Sequence, residues 1–155
     1  MRMTGERRIE APRETVWAAL NDVEVLGRCI PGCQKIDKTS DTGFSATVQV
    51  TVGPVKAKFN GAVELSNITP PRSYTLTGQG EGGVAGFAKG GADVSLDEQD
   101  GATMLRYEVN ATVGGKLAQI GARLIDSTAI KLADQFFAAF GATFVERDVS
   151  GETEA

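Results

Sequence analysis

The residues able to do chemistry are few in kind. Carboxylates are plentiful, but Asp37, Asp41, Glu64, Asp97, Glu98 and Asp100 fall at turns or on polar strand faces. No two of them are spaced for the paired work of a general acid and a general base. Histidine is absent, which removes the commonest general base, the usual metal ligand and the Ser-His and Cys-His nucleophile pairs. Two cysteines stand in Cys29-Ile30-Pro31-Gly32-Cys33. Two thiols alone do not complete a tetrahedral zinc site, and their spacing is not the C-x-x-C of thioredoxin-type redox pairs. They read as free structural thiols, which suits a reducing cytoplasm. Gly78, Gly80 and Gly83 match the spacing of a dinucleotide fingerprint, yet a strand-like run follows where that motif needs a helix. Two phenol hydroxyls remain, Tyr74 and Tyr107, in otherwise apolar strand patterns. Either they pack in a core with the hydroxyl bonded at its edge, or they orient a bound molecule's polar group.

The elements that must position these residues follow from periodicity. From Gly114 to Glu146 the chain runs without proline, and it predicts one long amphipathic helix. Leu117, Ile120, Leu124, Ile125, Thr128, Leu132, Phe136 and Phe140 are expected on its broad apolar side, with Phe137 off that stripe for a partner surface or a portal. Upstream, Met1 to Glu10 predicts a strand. Pro12 and Glu14 suit the start of a short helix with Val16, Trp17 and Leu20 inward, and a second helical turn spans Val23 to Arg28. Past Cys33 the period changes to two. Phe44, Ala46, Val48, Val50 and Val52 oppose polar neighbours, and Gly53-Pro54 turns the chain into Val55, Ala57, Phe59, Val63 and Leu65. Tyr74 and Leu76, then Ala92, Val94 and Leu96, then Leu105 to Val113 supply further strands. A sheet with one apolar face must cover it. A helix of about 30 residues spans roughly 45 Å, long enough to cross such a sheet yet too narrow to fill its concavity. An apolar hollow between helix and sheet is therefore expected.

Composition agrees with a soluble globular protein. A chain of 155 residues, 41% hydrophobic and 23% charged, builds its core without a metal or disulfide. The net charge of −4, with no concentrated basic face in the sequence, argues against nucleic acid. The opening residues are too polar for a signal peptide, and the longest apolar run, Phe136 to Val145, is about half a bilayer span. A cytoplasmic protein is expected.

Three motifs resemble a known family. Ala11-Pro12-Arg13-Glu14-Thr15-Val16-Trp17 is general to the START-like (SRPBCC) helix-grip superfamily. Cys29-Ile30-Pro31-Gly32-Cys33 and Gly114-Gly115-Lys116-Leu117-Ala118-Gln119-Ile120-Gly121-Ala122-Arg123-Leu124-Ile125 are more specific and resemble the CoxG family of carbon monoxide dehydrogenase subunits. The resemblance implies an α+β fold in which a strongly curved antiparallel sheet of about seven strands wraps a long C-terminal helix, with two short helices after the first strand. It implies one ligand-binding domain over residues 1–146; the residues after it, 147–155, read as a polar, flexible tail. It also implies a non-catalytic accessory protein for a molybdenum-containing carbon monoxide dehydrogenase or related hydroxylase, placed at the inner face of the membrane. Other START-like proteins bind quinones and prenyl lipids, so a bound quinone or prenyl lipid is expected, and no metal or covalent cofactor. A recruitment or maturation adaptor with an incidental cavity is the alternative.

The expected cavity lining is Phe44, Val48, Phe59, Tyr74, Leu76, Tyr107, Val109, Leu124, Thr128, Leu132 and Phe136. The glycine-rich stretch from Gly78 to Gly91 reads either as a bulged hairpin or as a gate formed by Gly83, Val84 and Phe87. The resemblance carries over no catalytic residue.

Overall fold

Alternation of apolar and polar side chains dictates the sheet, and strands form wherever the period is two. In chain order the elements are β1 (Arg2–Ile9), α1 (Arg13–Leu20), α2 (Val23–Cys29), β2 (Cys33–Lys38), β3 (Gly43–Val52), β4 (Val55–Thr69), β5 (Ser73–Glu81), a 3-10 turn (Gly83–Ala85), β6 (Phe87–Gln99), β7 (Ala102–Gly114), α3 (Lys116–Gln119) and α4 (Ala122–Glu154). The structure is a computed structural model that describes the backbone of residues 1–154 and the side chains of residues 1–145. The tail expected at 147–155 thus lies outside the described side chains, and residue 155 lies outside the described backbone.

One seven-stranded sheet runs in the order β1-β7-β6-β5-β4-β3-β2, every neighbouring pair antiparallel. The first strand pairs with the last, and hairpins carry the chain from β3 out to β7. This α+β arrangement, a curved sheet gripping a C-terminal helix, is the helix-grip fold. Pro12 takes the N-cap of α1 in an extended conformation rather than its first helical position. Asp22 caps α2, its carboxylate accepting from the Glu24 amide at 2.9 Å.

The long helix runs to Glu154 rather than ending at Glu146, and it also departs from expectation near its start. It is interrupted at Ile120-Gly121, where Gly121 adopts φ 105°, a conformation that favours glycine. The short α3 therefore turns against β7 before α4 sets out across the sheet, touching α2, β1 and β3. The second half of α4 closes the core. Phe140 is fully buried and Phe144 nearly so, packed with Val16, Val25, Leu96 and Leu105. Phe136 stacks on Phe140 with ring centroids 5.5 Å apart, and Phe144 meets Phe140 edge-on at 5.1 Å. The first half of α4 is lightly covered, with Ile130 53% and Leu124 37% exposed.

Candidate ligand-binding site

Strand register assembles the floor of an apolar hollow of about 330 Å3. One inward row reads Leu65, Leu76, Ala92, Val109, Met3 across β4, β5, β6, β7 and β1. The next reads Tyr74, Val94, Tyr107. Ala133, Phe136 and Phe137 of α4 form the roof, and Leu20, Leu26, Ile30 and Ile36 form the end wall. Apart from the Met3 sulfur, the two phenol hydroxyls are the polar side-chain atoms among these linings.

The two tyrosines are held differently. Tyr74 is 7% exposed, its ring edge-on to Trp17 of α1 at 5.5 Å. Its hydroxyl has no hydrogen-bond partner among the described residues. The one described side-chain polar atom that is both sealed and unpartnered is Arg13 Nε, so the Tyr74 hydroxyl keeps some accessible surface. Burial pushes its pKa up to about 12, because the phenolate would lose its hydration. Tyr74 thus remains a neutral donor across the physiological range.

Tyr107 stacks on Phe137 at 5.4 Å, over Gly5, where any Cβ would collide with the tyrosine ring and its oxygen. Close by, Arg7 donates from Nη2 to Asp134 Oδ1 at 2.5 Å, joining β1 to α4, and its guanidinium lies 5.1 Å from the Phe137 ring centroid. Asp134 first, and Tyr107 second, raise the Arg7 pKa. Outside this corner a groove of about 430 Å3 runs between β1 and Ile130 of α4. Met3 and Tyr107 line both the groove and the hollow, so these two side chains stand between them.

The structure brings Phe44, Tyr74, Leu76, Tyr107, Val109 and Phe136 together around the hollow. It places Val48, Phe59, Leu124, Thr128 and Leu132 elsewhere. Val48 and Phe59 pair with each other farther along the same inner face, and the Phe59 ring covers Gly82. Leu124 reaches Gly53 at the β3–β4 turn. Helical precession is the reason. At about 100° per residue each step of four turns a further 40°, so Leu124 points roughly 160° away from Phe140. The inward face near the hollow is instead the three-four stripe of Ala133, Phe136 and Phe137, and Phe137 is an inner residue rather than one set aside for a partner surface. None of Gly83, Val84 and Phe87 lines the hollow. Val84 is 90% exposed, and Phe87 packs over Gly114 instead.

The strand alternation carries a signal for Val63, Leu65, Val94 and Leu105, which share a face with the tyrosines. Leu26, Ile30 and Ile36 carry none, since only the docking of α2 and β2 brings them to the wall. A larger groove of about 940 Å3 follows the sheet at Gly78 and Gly90. Its lining mixes Arg2, Glu64, Gln79, Lys89 and Asn110 with Met1, Phe44, Ala62 and Val63. Gly78 and Gly80 themselves sit inside β5, paired to Gly90 and Ala88, with no helix after them to receive a pyrophosphate. Cys29 and Cys33 are both free. Among the described residues, no cluster of acidic side chains and cysteines is placed to hold a metal ion.

Residues 5–144 match the family of the carbon monoxide dehydrogenase CoxG subunit. The chain belongs to the CoxG family. A crystal structure of a conserved protein from Geobacillus kaustophilus superposes with a TM-score of 0.88 at 31% identity, covering 94% of this chain and 96% of that one. A START superfamily protein from Mycobacterium smegmatis shares the fold at a TM-score of 0.68 and 12% identity, covering 92% of this chain and 95% of that one. No curated protein matches the chain. In this CoxG protein no described helix is long and apolar enough to cross a membrane.

Proposed function

We infer that this CoxG protein is a non-catalytic accessory protein that holds a quinone- or isoprenoid-like lipid in the hollow. It links a molybdenum-containing carbon monoxide dehydrogenase-type enzyme to the inner face of the membrane. The observation that carries the reading is an apolar space between helix and sheet with one buried, unpartnered hydroxyl, that of Tyr74. Each methylene buried there contributes about 0.8 kcal/mol, so affinity comes from shape and apolar area. The Tyr74 hydroxyl adds direction by donating to a carbonyl oxygen of the ligand.

Size sets what fits. About 330 Å3 lies at the lower end of ligand sites. At roughly 30 Å3 per water-sized group, that is about eleven groups, enough for a substituted quinone ring or two isoprene units. A longer tail leaves past Met3 and Tyr107 into the outer groove. Among the described residues no carboxylate lines the hollow; its donors are phenols. Extraction of the purified protein with organic solvent, followed by mass spectrometry, is expected to yield a quinone or prenyl lipid. An empty extract, together with no uptake of added quinone, refutes the reading.

The second reading, a recruitment or maturation adaptor with an incidental cavity, draws on Ile130 and Val145, which are 53% and 55% exposed along α4. Co-purification with dehydrogenase subunits that survives filling of the hollow would favour it.

A further inference from the structure

β1 stands at the edge of the sheet, and among the described strands its one neighbour is β7. Met1 and Ala111 exchange both backbone hydrogen bonds, at 2.8 and 2.9 Å. Bonded and non-bonded pairs alternate along an antiparallel ladder, so Met3, Gly5 and Arg7 also bond to β7. Arg2, Thr4, Glu6 and Arg8 therefore turn their amides and carbonyls to the open edge, and all four residues are exposed. The groove outside Met3 and Tyr107 follows this edge. Residues Arg2 to Arg7 line it, and Ile130 of α4, 53% exposed, stands across it. A row of unpaired backbone groups is a template for another strand.

The side chains select both the strand and its register. An antiparallel second copy of β1, bonded through the same four residues, has few possible centres. Centred on Gly5, Arg2 faces Arg8; centred on Glu6 or on Arg7, two like charges meet; centred on Met3, Glu6 has no opposite residue. Centred on Thr4, Arg2 faces Glu6 of the second copy, twice, and Thr4 faces Thr4, a favourable cross-strand pair. Within one molecule Arg106 Nε donates to Glu6 Oε2 at 2.9 Å, and Arg2 Nη2 donates to Glu108 Oε1 at 2.7 Å. Across an edge joined at Thr4 the charges thus alternate: Arg106, Glu6, then Arg2 and Glu108 of the second copy.

We propose that β1 pairs with β1 of a second copy about a twofold axis at Thr4, joining two molecules in one continuous sheet. Each bonded pair exchanges two backbone hydrogen bonds, and the assembly closes as a dimer because both molecules use the same surface. Both α4 helices lie on one face of the joined sheet, and the second copy covers Ile130. The added strand fills the groove outside Met3 and Tyr107, so pairing and the passage of a long ligand tail there exclude each other. That consequence rests on the ligand reading above; the pairing itself does not. The contact is small, which places it among weak, reversible associations.

Sedimentation velocity of the full chain tests it. A reversible monomer–dimer equilibrium is expected, with a dissociation constant on the order of 10–100 μM. Thr4→Pro removes an amide that the β1–β7 ladder does not use, a place where an edge strand tolerates proline, and it is expected to leave only monomer. Arg2→Glu places a carboxylate opposite Glu6 of the second copy, and Glu6→Arg places a guanidinium opposite Arg2. Each variant alone is expected to weaken the dimer at least about tenfold. Mixed in equal amounts, the two restore it, because each copy then meets the opposite charge at both positions. Circular dichroism confirms that the variants fold. A native protein that stays monomeric to about 300 μM, or that grows beyond the dimer, overturns the proposal. A dimer that survives Thr4→Pro overturns it as well, and so does a mixture of the charge variants that associates no better than either alone.

Discussion

On the proposed function, Tyr74 joins burial to recognition in one side chain: its hydroxyl costs free energy while it lacks a partner and would recover that cost on donating to a ligand oxygen. A neutral hydrogen bond contributes about 0.5–1.5 kcal/mol net, so Tyr74→Phe is expected to weaken quinone binding roughly threefold to tenfold. A hydrocarbon of the same shape should bind unchanged, and isothermal calorimetry with the two ligands separates the cases. The same residue sets an alkaline limit. Its pKa rises from 10.0 to about 12 on folding. Below pH 10 the phenol is neutral in both states and contributes no pH dependence. Between about pH 10 and 12 the unfolded chain loses its proton first, so stability falls, by about 3 kcal/mol once both forms are ionised. Chemical denaturation across that window should show the fall in the native protein and a smaller one in Tyr74→Phe.

The element that decides the site is α4, whose two halves do different work. Its second half anchors the fold: Phe140→Ala removes a fully buried ring and is expected to cost about 3–5 kcal/mol in urea unfolding. The middle of the helix is tied to β1 by the ion pair of Arg7 and Asp134, whose side chains are 33% and 57% exposed. Solvent screening leaves such a pair worth under about 1 kcal/mol. Asp134→Ala should therefore change stability little while speeding ligand exchange in stopped-flow measurements, because it frees the corner beside Tyr107. Strands and short helices are legible in the sequence because period two and period three-four differ so plainly. Phe44, Tyr74, Leu76, Tyr107 and Val109 follow from that alternation alone. The helix stripe is not legible to the same depth. A row of four-residue steps drifts about 40° around the helix at each step. Leu124, Thr128 and Leu132 therefore turn away, and Ala133 and Phe137, which are off that row, face the hollow beside Phe136. The walls from α2 and β2 depend on tertiary docking, for which no local pattern speaks.

Across the whole molecule, apolar and charged surfaces are divided by place. The paired arginines lie along β1, β7 and α1, and the core gathers under Phe140. Beside that core lies the hollow, roofed by a helix that leaves its inner corner at Met3 and Tyr107 thinly closed. Carriage of an apolar molecule is the proposed function, and the hollow is what supports it. The most direct test is a quinone titration read by quenching of the single tryptophan, Trp17, whose ring lies 5.5 Å from that of Tyr74. It is run on the native protein and on a variant with Leu76→Phe and Ala133→Phe filling the space. Saturable quenching at one quinone per chain, reduced more than about tenfold in affinity by the filled hollow, is the predicted result. Quenching absent from the native protein, or equal in the two, would contradict it.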